Sequence, residues 1–538
     1  MVKLERTSGI LVHISSLPGP NGIGDIGEEA YKFVDFLHEC NQQTWQILPL
    51  TASEKPSPYS GTSAFAGNPL LISLEKLVDD GLLIQSDIES SRPKFGEYIE
   101  FRKVFQWKYT VLDHAYHNYK NSSNQTFQTE LETFVKKEDY WLDDYTLYMA
   151  IKAEQNNKSW SKWPKELKYR EKQVLENKRQ EHADVIRKHT FLQYIFFRQW
   201  NQLKQYANEN GVTILGDMPV YVDYDSADVW ANQSLFQLDE KTSLPKAVSG
   251  APPDSFSETG QLWNNPLYDW TGNLRKTNFD WWIKRLKKCL ETVDVVRIDH
   301  FRGLEAYWAI PIGADGKPLP PTKGEWVKAC GDEFLTAATK ALGENLPIIA
   351  EDLGHLTQEV FDLRDKFGLV GMRVLHFAFT HWPDNMYLPH NYIPNCIAYT
   401  GTHDNNTTIA WFRHNASAKE KKTLIDYLQK EGDLERQINW DLIRLVLASV
   451  ANTAVLLFQD VLDLEEGCQM NDPAFTPDYE DNWRWRFHWK QIKQETKYKL
   501  KSLTYIYGRY LPKEALDRPD TEAGVDEKTN SVQQPKSY

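Results

Sequence analysis

Three acids end three short apolar runs at nearly even spacing. Asp294 to Ile298 runs into Asp299, Pro347-Ile348-Ile349-Ala350 into Glu351-Asp352, and Cys396-Ile397-Ala398-Tyr399-Thr400 into His403-Asp404. The gaps from Asp299 to Glu351 and from Glu351 to Asp404 are 52 and 53 residues. Two carboxyl groups suffice to exchange a glycosidic bond with retention. One attacks the anomeric carbon; the other protonates the leaving oxygen and later takes a proton from the acceptor. A third acid can hold hydroxyls and balance positive charge on a distorted ring. Each acid alone has a plainer reading, since Asp is a favoured helix cap. The neighbours favour chemistry. Arg297 stands two positions before Asp299, so strand alternation turns both side chains to one face. A buried guanidinium there would keep Asp299 ionised. His403 adjoins Asp404 in Thr-His-Asp-Asn-Asn, straight after an apolar run.

Other chemistries find less support. His13, His300, His355, His376 and His403 fall at or near strand ends, as in barrel metallohydrolases. Yet the first strand reads Val-His-Ile rather than His-x-His, and no His-Glu-x-x-His occurs. No Gly-x-Ser-x-Gly elbow marks a nucleophilic serine. No metal and no cofactor are expected.

The elements that must position these acids are legible as eight short apolar runs: Gly9–Ile14, Thr44–Leu50, Val212–Val222, Val293–Phe301, Leu346–Leu353, Met372–Phe379, Cys396–Thr400 and Thr453–Val461. Most are apolar on successive residues, as in strands buried on both faces of a parallel sheet. Helical patterns lie between several, at Gly27–Cys40, Trp282–Leu290 and Asp332–Leu342. Eight strands alternating with helices predict an α/β chain folded as a (β/α)8 TIM barrel, with chemistry at the C-terminal strand ends. A doubly wound sheet is the rival, but no Gly-x-Gly-x-x-Gly turn follows the first strand. Two connections exceed plain loops. Residues 75–210 carry charged and aromatic residues at helical spacing and predict a large, mostly helical insertion. Residues 239–270 are rich in Pro, Gly, Asn and Ser and predict a lid-like loop. The expected organisation is one barrel domain over 1–517, followed by a disordered polar tail at 518–538.

The balance of 25% charged and 41% apolar residues is that of a globular chain. A net charge of −13 argues against nucleic acid and against an anionic membrane, while leaving a neutral substrate indifferent. With 19 Trp, 26 Tyr and 24 Phe the chain has rings to spare for sugar faces, though most must be packing. Five cysteines, odd in number and without Cys-x-x-Cys, fit a reducing cytoplasmic location. Met1 to Leu11 holds no apolar stretch of signal-peptide length and no run of 18 apolar residues occurs, so neither a secretory leader nor a transmembrane helix is expected.

Longer motifs carry a resemblance. From about Thr7 to Arg486 the chain closely resembles the 4-α-glucanotransferases called amylomaltase or disproportionating enzyme, family 77 of the glycoside hydrolases in the α-amylase clan. The matching segments include Ser8-Gly9-Ile10-Leu11-Val12-His13, Ser63-Ala64-Phe65-Ala66-Gly67-Asn68-Pro69-Leu70, Gly216-Asp217-Met218-Pro219-Val220-Tyr221-Val222, Gly260-Gln261-Leu262-Trp263 and Asn482-Trp483-Arg484-Trp485-Arg486. The resemblance implies a retaining transfer of α-1,4-glucan segments. Asp299 would be the nucleophile, Glu351 the general acid/base and Asp404 the transition-state stabiliser, with Arg297 and His403 around the same glucose. Tyr59 and Asp217 resemble residues lining that site, Asp254 and Trp263 residues of the loop over the acceptor side, and Asn471 an Asn after the last strand. Implied partners are maltooligosaccharides and starch- or glycogen-derived glucans. Two segments depart from the family. Thr51-Ala52-Ser53-Glu54-Lys55-Pro56 lacks the usual glycines, and Gln469-Met470-Asn471-Asp472-Pro473-Ala474-Phe475 replaces an Arg and a Gly. Both bear on outer subsites and product size. A hydrolase of the same clan, a glucan binder without turnover and a metallohydrolase remain the alternatives.

Overall fold

The computed structural model describes residues 5–122, 124–253, 257–380, 382–430, 437–475 and 481–510. Eight parallel strands form the centre: β1 Thr7–Leu11, β2 Thr44–Gln46, β3 Thr213–Met218, β4 Val295–Ile298, β5 Ile348–Ala350, β6 Gly371–Val374, β7 Cys396–Tyr399 and β8 Thr453–Leu457. Each pairs with its neighbours in chain order, and β8 pairs with β1. The remaining edge, β5 to β6, is joined by a parallel bridge between Ile349 and Val370, where the Ala350 N–H donates to the Val370 carbonyl at 2.8 Å. The sheet is thus a ring, the (β/α)8 barrel expected, and each of the eight apolar runs supplies one strand.

Strand periodicity explains why both faces are apolar. Leu11, Leu215, Ile349, Met372, Val374, Ile397, Tyr399, Val455 and Leu457 share one cluster, with Val295 against it, and fill the lumen. Their alternates, such as Ile10, Ile214, Val296, Ile348, Ala398 and Leu456, pack outward under the helices. Arg297 and Asp299 therefore follow Val295 on the inward face, and Asp217 follows Leu215.

The strands are shorter than the apolar runs, for local reasons. β3 stops at Met218 because Pro219 has no N–H to continue a ladder. β4 stops at Ile298, and His300 turns into the left-handed region at φ 51°. β6 and β8 pass directly into helical turns at Leu375–Phe377 and Phe458–Val461.

Helices Phe101–Lys120, Gln125–Glu154 and Ala183–Glu209, with shorter ones, occupy the connection between β2 and β3. The 239–270 segment differs from its expectation. It carries two strands, Ala247–Ala251 and Gln261–Pro266, which join Ala306–Pro311 and Glu325–Lys328 in a four-stranded antiparallel sheet beside the barrel mouth. Asp254 and the 518–538 tail lie outside the described residues. No described helix is long and apolar enough to cross a membrane.

Candidate active site

The C-terminal strand ends open into a cavity of about 450 Å³ whose lining includes Tyr59, Arg297, Asp299, Glu351, His403, Asp404, Asn471 and Trp263. The three acids come from the ends of β4, β5 and β7, and the ring brings them to one mouth.

Arg297 organises the floor. Its Nη1 donates to both Asp217 oxygens at 2.8 and 2.7 Å, and its Nη2 lies 2.9 Å from Asp299 Oδ1. The Asp217 side chain is fully buried beneath, whereas the Asp299 side chain is 28% exposed. The Tyr59 hydroxyl donates to Asp217 Oδ2 at 2.6 Å and lies 2.9 Å from His403 Nε2, so the imidazole carries its proton on Nε2 and donates it to Tyr59. Burial lowers the His403 pKa against the opposing pull of Asp404, which keeps the ring neutral. Burial and Asp217 push the Tyr59 hydroxyl well above its ordinary range. Arg297, Asp217, Tyr59 and His403 form one hydrogen-bonded chain across β4, β3, the loop after β2 and the loop after β7.

Asp404 Oδ1 accepts from Asn471 Nδ2 at 2.7 Å and lies 3.4 Å from His403 Nε2. Asn471 is fixed in turn by Asn482, whose Nδ2 donates to its Oδ1 at 2.9 Å, and by its own N–H on the His403 carbonyl at 3.0 Å. Asn482, part of the Asn482-Trp483-Arg484 segment, thereby anchors Asn471, a link between two loop positions that spacing alone does not reveal. Trp263, on the edge strand Gln261–Pro266, packs edge-on to His300 at 4.7 Å between ring centroids. His300 enters as a lining residue of this cavity.

Glu351 accepts two peptide N–H groups, from His300 at 2.7 Å and Leu353 at 3.0 Å. The left-handed backbone of His300 places the first of these. Burial still raises Glu351 to about 8, with the Asp299 charge adding to the rise and Arg297 opposing it. Burial raises Asp299 as well, and Arg297 is the largest force drawing it back. The guanidinium against Asp299 favours the charge there and the proton on Glu351.

A possible cation site lies elsewhere. Glu154, Glu181 and His182 bring three ligand atoms within 4.8 Å of one another on the helical insertion. Lys178 already bridges the two acids at 2.5 and 2.8 Å, supplying the positive charge.

A closed parallel barrel bearing carboxyl groups at its C-terminal strand ends, over a cavity lined by aromatic rings, defines a class of enzymes working on sugar linkages. The comparisons narrow it. The family model described as 4-alpha-glucanotransferase, glycoside hydrolase family 77, matches residues 12–493, and the chain belongs to that family. A 4-alpha-glucanotransferase from Synechocystis sp. is 44% identical over 94% of this chain and 98% of its own length. One from Clostridium butyricum is 43% identical over 93% and 100%. The structure of amylomaltase from Streptococcus agalactiae in complex with acarbose superposes with a TM-score of 0.88 at 38% identity, covering 94% of this chain and all of that one. The Corynebacterium glutamicum amylomaltase, at 18% identity and a TM-score of 0.74 over 93% of this chain and 75% of that one, shares the fold.

Proposed function

We propose that the protein disproportionates α-1,4-glucans by double displacement through Asp299, Glu351 and Asp404. As a member of its family it is a transferase of α-1,4-glucan segments, and the geometry of the site supports these roles. The observation that carries them is the unequal pair: Asp299 in contact with a guanidinium, Glu351 without one. Ionised Asp299 attacks the anomeric carbon while Glu351 gives its proton to the leaving glycosidic oxygen. Glu351, now a carboxylate, takes the proton of an incoming 4-hydroxyl, whose oxygen then displaces Asp299. The linkage is kept and Glu351 regains its proton. Asp404, aimed by Asn471, stands to balance charge on the oxocarbenium-like ring. Arg297, Asp217, Tyr59 and His403 hold the reacting glucose, and Trp263 covers the acceptor. Maltooligosaccharides and fragments of starch or glycogen are the proposed substrates, without cofactor. The five cysteines stand unpaired, which suits the cytoplasm.

Incubation with maltotriose tests the reading. The expected products are glucose and a ladder of longer maltooligosaccharides, and Asp299→Asn should abolish both. Shorter sugars without a ladder would mean hydrolysis, and full transfer by Asp299→Asn would remove it as nucleophile.

A further inference from the structure

Two acids follow β5 in succession, Glu351 and Asp352, and the chemistry above uses only the first. Alternation sends their side chains to opposite faces. Glu351 lines the cavity. Asp352 is fully buried on the other side, against Arg364 of the helix Gln358–Lys366.

Asp352 stands at the thinnest seam of the barrel. Among the described residues β5 and β6 meet at a single bridge, Ile349 with Val370, where every other neighbouring pair shares a ladder. Past that bridge side chains take over. Asp352 Oδ1 accepts the Met372 N–H at 2.6 Å, and Arg373 Nη1 donates to the Met372 carbonyl at 2.6 Å. Asp352 Oδ2 lies 2.5 Å from Arg364 Nη1 and 3.7 Å from Arg373 Nη1. Arg364 reaches on to Asp365, its Nε donating at 2.7 Å. Gly371 leaves the room for this: a Cβ there would stand 2.5 Å from Asp352 Oδ2 and 2.8 Å from Arg364 Nη1.

One amide N–H needs only one neutral acceptor. A dry carboxylate between two buried guanidiniums exceeds that need, and such ion pairs seldom stabilise a fold more than apolar packing would. What the arrangement supplies is rigidity at one point of the chain. Residues 351–357 belong to no strand or helix. Asp352 lies between Glu351 and Leu353, whose N–H donates to Glu351 Oε1 at 3.0 Å. Fixing Asp352 therefore fixes both the backbone of the acid and one of the two donors that aim it. On the opposite flank the Glu351 N–H donates to the Ile298 carbonyl of β4 at 3.1 Å, so the latch completes a hold on both sides.

We propose that Asp352, locked by Arg364 and the Met372 N–H, is a positioning residue that latches the seam between β5 and β6 and holds Glu351 at the geometry for proton transfer to the leaving oxygen. This rests on Glu351 being the acid, as proposed above.

Two donors separate positioning from folding. Maltotriose needs a proton on its leaving oxygen, whereas the fluoride of α-maltosyl fluoride leaves without one. Glycosyl-enzyme formation from the fluoride, read as the rate of the fluoride-ion burst, thus bypasses Glu351. Asp352→Asn keeps an acceptor for Met372 and loses the lock to Arg364. Its kcat/KM with maltotriose should fall about ten-fold or more, while the burst rate should change by less than about two-fold. Arg364→Met leaves the carboxylate on the Met372 N–H and should show the same split in milder form, so it decides the matter if Asp352→Asn does not fold. Equal losses with both donors, or no loss with maltotriose, overturn the positioning role. Glu351→Ala, assayed in parallel, tests the acid itself. Absence of the split there would remove Glu351 as the acid, whereas a split in Glu351→Ala without one in the Asp352 and Arg364 variants would sink the latch alone.

Discussion

Burial, with the Asp299 charge, raises the Glu351 carboxyl to about 8 against the pull of Arg297 and of the two peptide N–H groups that point at it. The sign of the resulting pH dependence follows. As the proposed acid Glu351 must be protonated and as the proposed nucleophile Asp299 must be ionised; burial raises the two to about 8 and about 7, so activity is lost as pH rises through the first value and as it falls through the second. The profile of kcat/KM should show an alkaline limb near pH 8, falling about ten-fold per unit beyond it. A fall beginning at ordinary carboxylate pH would contradict the assignment. Glu351→Ala should cost roughly 10²–10⁴-fold with a glucan donor. With maltosyl fluoride, whose leaving group needs no proton, glycosyl-enzyme formation should be largely spared and the alkaline limb should vanish. Equal losses with both donors would remove the acid role. At this scale the sequence was informative where one strand held the evidence: Arg297 and Asp299 on one face follow from period two. The chain from Asp217 through Tyr59 to His403 was not derivable from spacing, because it joins positions 59, 217 and 403 only through closure of the ring. There the family resemblance named residues whose connection the geometry supplies.

Among the elements, the eight barrel strands were readable because burial on both faces makes each a continuous apolar run. The antiparallel sheet at the mouth escaped for the opposite reason. Gln261-Leu262-Trp263-Asn264-Asn265-Pro266 is only partly buried, alternates in exposure, and contains weak strand formers. Its stability comes from pairing, with Gly250 against Leu262 and Ala251 against Gln261, rather than from its own sequence. This hairpin carries Trp263 over the cavity, and Pro252 and Gly260 line the same opening. Replacing residues 253–259 by a two-residue turn should open the proposed acceptor side to water. The hydrolysis-to-transfer ratio, measured as reducing ends released per ladder product from maltotriose, should rise. An unchanged ratio would mean that the hairpin shapes the acceptor site without excluding water.

Across the whole molecule, the helices between β2 and β3 serve as a buttress for the strands that carry the floor of the site. Helix Ala183–Glu209 runs directly toward β3, and its Trp200 Nε1 donates to the Thr292 carbonyl at 2.8 Å. Its Asn208 and Lys204 reach Asp294, at 2.8 and 3.3 Å, immediately before β4. Asp217, Arg297 and Asp299 thus sit on two strands anchored by one insertion helix. A buried ion pair ties the other side. Lys288, on the barrel helix Asp280–Thr292, lies 2.6 Å from Glu138 on the insertion helix Gln125–Glu154, and Trp141 Nε1 donates to the same carboxylate at 2.5 Å. Side-chain exposures of 7% and 3% put the pair out of water, so breaking it strands a charge. Lys288→Met should destabilise the protein by about 3–5 kcal/mol. Adding Glu138→Gln removes the stranded charge while keeping an oxygen for Trp141, and should restore most of the loss. Urea unfolding followed by fluorescence and by residual transfer activity provides the measurement. If the insertion buttresses the floor, the two probes shift together in Lys288→Met and recover together in the double variant. Activity that survives at urea concentrations where the fluorescence transition has passed would show that the barrel holds its site without the insertion.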